Sequence, residues 1–181
     1  MSAPVIIEDY DPRWPEYFEM LRSRIGAALG SLAAAIEHVG STAVTGLAAK
    51  PIIDIDVLLH SEGDLPRAIE RLTTIGYAHQ GDLGILGREV FRAPSDALLH
   101  HLYVCRPNSR AYLQHLAFRD YLRIHDEDAR AYGLSKRSLA SRYGSDRDGY
   151  TQAKTEFIEA ILRRVEGSGS EHFSSAARII S

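Results

Sequence analysis

The chain has 181 residues, 45% hydrophobic and 25% charged, with a formal net charge of −3 and a pI near 6.2. That is the profile of an ordinary globular protein with enough length to bury a substantial core, and its near-neutral balance removes the global basic field that draws a protein to long nucleic acid. The single cysteine, Cys105, excludes a disulfide framework and a thiolate zinc site. No apolar run reaches the roughly 18 residues of a membrane span, and "MSAPVIIEDYDPRWPEY" lacks the pattern of a secretory leader, so a cytoplasmic protein without membrane contact is expected.

Val5 to Ile7 reads as a short strand. "DPRWPEYFEMLRSRIGAALGSL" reads as a helix, with Asp11 as cap, Pro12 in the first turn and Gly30 as its stop. Its residues Trp14, Phe18, Leu21, Ile25 and Leu29 recur at helical spacing. "AAIEHV" is a strand, "GSTAVTGLAAKP" a turn with a short helix, and "IIDIDVLL" the clearest strand of the chain, rich in β-branched residues. "DLPRAIERLTTIG" follows as a helix, "DLGILGREVFRA" as a glycine-rich loop and a strand, and "LLHHLYVC" as another strand. From Asn108 the pattern is helical, in three segments: "NSRAYLQHLAFRDYLRIH", "DEDARAYGLSKRSLASRYG" and "DGYTQAKTEFIEAILRRV". The last carries an apolar stripe of Tyr150, Phe157, Ile158, Ile161 and Leu162. The expected layout is an α+β core over 1–107, helices over 108–165 packed on it, and a disordered tail over 166–181.

Asp54 and Asp56 stand out inside the apolar run "PIIDIDVLL". Side chains alternate along a strand, so the two share a face, with Cα atoms roughly 6.6 Å apart. Ile53, Ile55 and Val57 take the core face. Two carboxylates so placed converge on a divalent cation, and a hard ion such as Mg²⁺ fills its other positions with water and substrate phosphates. The plain alternative is a wet strand face. Upstream, Gly40 and Ser41 open a turn where glycine permits close backbone approach and free N–H groups favour phosphate. A phosphate cradle followed by a carboxylate pair on the next strand suits metal-dependent nucleotidyl transfer.

Gly-Ser, a dozen residues, then Asp-x-Asp on a strand resembles the signature of nucleotidyltransferases of the DNA polymerase beta type. The whole stretch "EHVGSTAVTGLAAKPIIDIDVLL" resembles the GrpB family, as do "HHLYV", "FRDYLR" and the late helix with Tyr150 and Lys154. The resemblance covers residues 1 to about 165. It implies a nucleotidyltransferase-like mixed β-sheet flanked by helices, with a C-terminal helical extension. It maps Gly40, Ser41 and Thr42 onto the phosphate-binding turn and Asp54 and Asp56 onto the first two metal carboxylates, for Mg²⁺ or Mn²⁺ with a nucleoside triphosphate. It does not name a substrate. The superfamily's third carboxylate has no clear counterpart, because the matching strand carries His100 and His101 where an acid would stand.

His100 and His101 point to opposite faces, and His101 is the one expected near the aspartates, as base or third ligand. Lys50, extended ahead of Pro51, is placed to meet phosphate as a point charge. Arg88 and Arg92 share a strand face suited to anions, and Lys154 leans toward the cleft. Each of these also reads as an ordinary surface side chain. His38 reads as a strand-end histidine or a cleft residue. Arg119 and Arg123 share a helix face where Asp120 and Asp126 are available as ion-pair partners, and Tyr121, Tyr132 and Tyr143 read as packing residues. Three functions follow as alternatives. One is a nucleotidyltransferase acting on a small-molecule acceptor. Another is a non-catalytic module binding a nucleotide, coenzyme or phosphorylated metabolite. The third is a mixed site of His38, Asp54, Asp56 and His101 for zinc, manganese or iron.

Overall fold

The computed structural model describes residues 5–168. In chain order the elements are α1 (Trp14–Leu29), β1 (Ala33–Val39), β2 (Ile53–Leu59), α2 (Leu65–Thr74), β3 (Ala78–His79), β4 (Arg88–Arg92), β5 (His100–Cys105), α3 (Arg110–Ile124), α4 (Asp126–Tyr143) and α5 (Arg147–Ser168). Helix α1 begins later than expected. Pro15, not Pro12, stands in its first turn, where a missing N–H costs nothing. Asp11 does not cap the helix, and its Oδ1 instead accepts from the Arg13 N–H at 2.9 Å. The five periodic residues of α1 are all buried, and Gly30 ends the helix at φ 55°.

The strand expected over 5–7 does not form. The segment threads between Ala49 and Gly144, making one isolated bridge at Glu8 and one bond from the Val5 N–H to the Gly144 carbonyl, with no strand edge to pair along. The short helix expected after Gly40 is a single 3-10 turn over Ser41–Ala43. Strand β3, only two residues long, carries too little pattern to be seen in the sequence. Helix α5 runs on through the first residues of the expected tail, and 169–181 lie outside the described residues.

The five strands form one sheet in the order β1-β2-β5-β4-β3. Strands β2 and β5 are parallel and the other neighbours antiparallel, so the sheet is mixed and the fold is α+β. One face is apolar: Ile53, Ile55, Val57 and Leu59 of β2, with Phe91, Leu102 and Val104, are buried against α1 and α2. His100 belongs to that face, 4% exposed, with its Nε2 2.7 Å from the Tyr77 hydroxyl.

The opposite face carries the chemistry. Register places His101 of β5 beside Asp54 and Tyr103 beside Asp56, while Glu37 of β1 lies across from Asp56 on the other side. The C-terminal helices reach this face. They build a second apolar cluster of Phe118, Leu122, Ala129, Tyr132 and Ile161 around Val44 and Leu47, anchoring the 40–47 segment. Cores of this kind supply most of the stability, at about 25 cal/mol per Å² of apolar surface buried. No described helix is long and apolar enough to cross a membrane.

Candidate active site

Each aspartate has its own histidine. Asp54 Oδ1 is 2.8 Å from His101 Nδ1, and Asp56 Oδ2 is 2.8 Å from His115 Nδ1 on α3. Asp54 is partly open, with its side chain 28% exposed, whereas the Asp56 side chain is fully buried. Burial pushes the Asp56 carboxyl up from its usual range and His115 opposes that shift. The second oxygen, Asp56 Oδ1, is buried without a hydrogen-bond partner. A lone buried carboxylate oxygen costs desolvation unless something binds it.

Tyr103 lies between the two pairs, its ring centre 6.2 Å from His101 and 6.0 Å from His115. The Arg88 guanidinium sits over that ring at 4.5 Å, close enough to favour the charged form of Asp56. On the other flank, Arg119 ties α3 to β1, pairing with Glu37 and Asp120 at 2.7 Å each and donating to the His38 carbonyl at 3.0 Å.

The turn at Gly40 abuts Asp54. Gly40 has φ 70°, and a Cβ added there would stand 2.2 Å from Asp54 Oδ2, so both the backbone shape and the close approach require glycine. Next in the chain, the Ser41 hydroxyl accepts a bond of 2.8 Å from Lys136 Nζ, which also donates to the Ala48 carbonyl. Lys136 lies over the Tyr132 ring at 4.5 Å. Burial lowers its pKa to about 7, and Lys154 nearby pushes the same way. Burial also lowers Lys154, against the pull of Asp54. Lys50 Nζ sits over the Tyr150 ring at 4.4 Å.

These groups line a cavity of about 530 Å³. Of the expected residues it brings together Ser41, Thr42, Lys50, Asp54, His101 and Lys154, and it adds Tyr103, Lys136, Tyr150 and Thr151. Gly40 and Asp56 lie behind Asp54 and beside it. Arg88 reaches the site over Tyr103 without lining the cavity, and Arg92, exposed at the far end of β4, does not line it. Sequence reasoning missed His115, Lys136 and Glu37. All three read locally as helix-surface or strand-surface residues, and only the tertiary fold brings them to the aspartates or the turn. His38 faces the core side, its ring stacked on Phe18 at 4.7 Å, and is not a neighbour of His101 in the aspartate cluster.

Among the described residues no group of three or more His, Cys, Asp and Glu side chains is arranged to hold a metal ion. Two carboxylates remain, one with an unbonded oxygen. That donor set fits a hard divalent ion completed by water and phosphate rather than an all-protein cage.

The mixed sheet, the flanking helices and the C-terminal helix define a nucleotidyltransferase-like fold. A crystal structure of the Cid1 poly (U) polymerase with MgGTP bound superposes with a TM-score of 0.54 over 75% of this chain and 45% of that one, at 15% identity, a likeness of fold alone. The chain belongs to the GrpB family, whose description as "GrpB protein" matches residues 4–164. The crystal structure of conserved protein GrpB from Enterococcus faecalis is 34% identical, with a TM-score of 0.81 over 88% of this chain and 96% of that one. UPF0157 protein PA4798 of Pseudomonas aeruginosa is 40% identical over 85% of this chain, and UPF0157 protein YqkA of Bacillus subtilis 34% over 83%. The chain spans only 64% and 44% of the lengths of these two relatives. A dephospho-CoA kinase of Mycolicibacterium paratuberculosis is 28% identical over 90% of this chain and 46% of its own length.

Proposed function

We propose that the protein transfers a nucleotidyl group from a nucleoside triphosphate to a small-molecule acceptor. One observation carries this reading: Asp54, the Ser41 hydroxyl and the three lysines Lys50, Lys136 and Lys154 line a single cavity on a nucleotidyltransferase-like fold. Asp54 and Asp56 would hold Mg²⁺ or Mn²⁺, which when bound neutralises charge on the phosphates and polarises the phosphorus. The chain's own residues do the rest. Ser41, Thr42 and the lysines bind the polyphosphate, and three ammonium groups match its charge. His101, oriented through Nδ1 by Asp54, leaves Nε2 to take the proton of an acceptor hydroxyl. Tyr150, beside Lys50, offers an aromatic wall to the nucleoside. Arg88 and, at the strand's far end, Arg92 add positive charge to the same sheet face. The formal charge of −3 argues against long nucleic acid as the acceptor.

The test is calorimetric titration of the four nucleoside triphosphates, with and without Mg²⁺, into the wild type and into Asp54→Ala and Asp56→Ala. Binding that needs both metal and aspartates is expected. Equal binding by wild type and variants without metal overturns the reading.

A second reading is supported by the register of β5, which sets His101 and Tyr103, not a carboxylate, beside the aspartates. Glu37 lies across from Asp56 but is engaged by Arg119 at 2.7 Å. On this reading the cavity binds a nucleotide, coenzyme or phosphorylated metabolite and transfers nothing. The similarity to a dephospho-CoA kinase supports a coenzyme-like ligand. Nucleotide binding with no product across a panel of alcohol, amine and phosphate acceptors selects it.

A further inference from the structure

A second cavity, of about 770 Å³, lies on the other side of the 40–47 segment. It is within the range of small-molecule sites. Thr42 borders both cavities, but the aspartates, His101 and the lysines do not line this one. Its floor is apolar, from Phe18, Leu47 and Leu122, and its rim is charged.

Two buried polar groups line this cavity, Thr42 and His38, the latter 8% exposed and stacked on Phe18. The Thr42 hydroxyl donates to the Ile52 carbonyl at 3.3 Å, so it accepts from His38 Nε2–H at 2.9 Å. That fixes the tautomer and leaves Nδ1 as a bare acceptor. Among the described residues no donor meets Nδ1, and it is not one of the fully enclosed atoms. Burial lowers the His38 pKa to about 4, so the ring is neutral near pH 7. A ligand here must therefore bring a donor.

The rim defines the rest of the ligand. Arg123 is held in place, with Nε and Nη2 donating to the Ala43 carbonyl at 3.1 and 3.0 Å. Arg130 stands beside it on α4. Glu19 and Asp126 are also on the rim. Glu19 is already paired with Arg22 at 3.2 Å and Arg123 with Asp120 at 3.5 Å, so among the described residues Asp126 and Arg130 are the rim charges without an ion pair, one of each sign, and an ion of one sign leaves the other unanswered.

We propose that this cavity binds a zwitterionic small molecule of the amino-acid class, its ammonium donating to His38 Nδ1 and answering Asp126, its carboxylate facing Arg130, and its side chain on the Phe18 floor. The proposal does not rest on the nucleotide reading: the two cavities share Thr42 but no charged lining residue, and Asp54 reaches His38 only through space.

The experiment titrates the full chain, without nucleotide or divalent metal, with the twenty amino acids by calorimetry and follows the His38 ring nitrogens by ¹⁵N NMR. Phenyllactate and phenethylamine serve as the hydroxy-acid and amine controls for phenylalanine. At least one amino acid is expected to bind and to move the His38 Nδ1 signal, with its hydroxy-acid and amine analogues weaker by about tenfold or more, the equivalent of one charge-assisted contact. His38→Phe and Arg130→Ala are each expected to weaken binding by a similar factor. Arg130 is exposed, so its variant keeps the test decisive if His38→Phe fails to fold. Lys154→Ala, at a residue that lines the aspartate cavity and not this one, is expected to bind amino acid as the wild type does. No binding by any amino acid up to concentrations on the order of 10 mM overturns the proposal. So does equal binding of the single-charge analogues, indifference to Arg130→Ala, or loss of binding in Lys154→Ala, which would move the ligand to the aspartate cavity.

Discussion

Gly40→Ala tests the contact between the turn and the aspartate strand. Gly40 has φ 70° and ψ −169°, a region open essentially to glycine, and holding another residue there costs about 1–3 kcal/mol. The new methyl would also stand 2.2 Å from Asp54 Oδ2 and 3.0 Å from its Cγ, so the carboxylate must swing away and leave His101. That bond is partly exposed, with the His101 side chain 52% accessible, so its loss adds about 1 kcal/mol at most. The sum is about 1–4 kcal/mol, or a fall in Tm of roughly 2–16 °C for a chain of this size. Urea denaturation of Gly40→Ala, Asp54→Ala and the double variant separates the two parts. Removing the carboxylate removes the clash but not the backbone cost. The double variant should therefore be more stable than the sum of the singles by up to about 1 kcal/mol. Additive effects would refute the contact, and a Gly40→Ala protein within about 0.5 kcal/mol of wild type would refute both parts.

Four further outcomes are expected. In the core, His100 Nδ1 donates to the Leu98 carbonyl at 2.6 Å, so Nε2 accepts from the Tyr77 hydroxyl, and Tyr77→Phe should cost about 1–3 kcal/mol in urea by leaving a buried acceptor unpaired. The Lys136 pKa falls from an ordinary 10.5 to about 7 in the folded state, so between those values the unfolded chain binds more protons and stability rises with pH. Wild-type stability measured against Lys136→Met should therefore increase from pH 7 to pH 9. Polyphosphate at Lys136 favours the charged form, so nucleotide binding should take up a proton above pH 7, seen as buffer-dependent heat that the same variant loses. His38 is depressed from 6.5 to about 4, so its contribution is complete above about 6.5 and is lost as pH falls toward 4. His38→Phe should remove that part of the acid-side slope in urea denaturation across pH 4 to 7.

The elements with a clear period were readable in the sequence. The 3.6-residue repeat of Trp14, Phe18, Leu21, Ile25 and Leu29 is the buried face of α1, and the alternation in "IIDIDVLL" separates the core isoleucines from the aspartates. The segment over 5–7 shows where this fails. Its apolar residues carry strand propensity, but pairing needs an edge, and none lies beside it. The start of α1 failed for a local reason: two prolines stand within the first turn's reach, and the sequence does not say which of them the helix begins on.

The candidate site divides along the same line. Gly40, Ser41, Asp54, Asp56 and His101 come from one hairpin and the strand beside it, so alternation and register suffice to place them. His115 and Lys136 are separated from Asp56 and Ser41 by 59 and 95 residues. Nothing local distinguishes Lys136 from Arg137, yet one is buried against the Ser41 hydroxyl and the other reaches an exposed Asp9. What separates them is which face of α4 packs on Val44 and Leu47: Lys136 follows Tyr132 by one turn on that face, a property of the second apolar cluster. The C-terminal helices are therefore part of the site. They give the turn a buried ammonium and Asp56 a histidine, and a piece ending near residue 107 would keep both aspartates and His101 while losing His115 and Lys136.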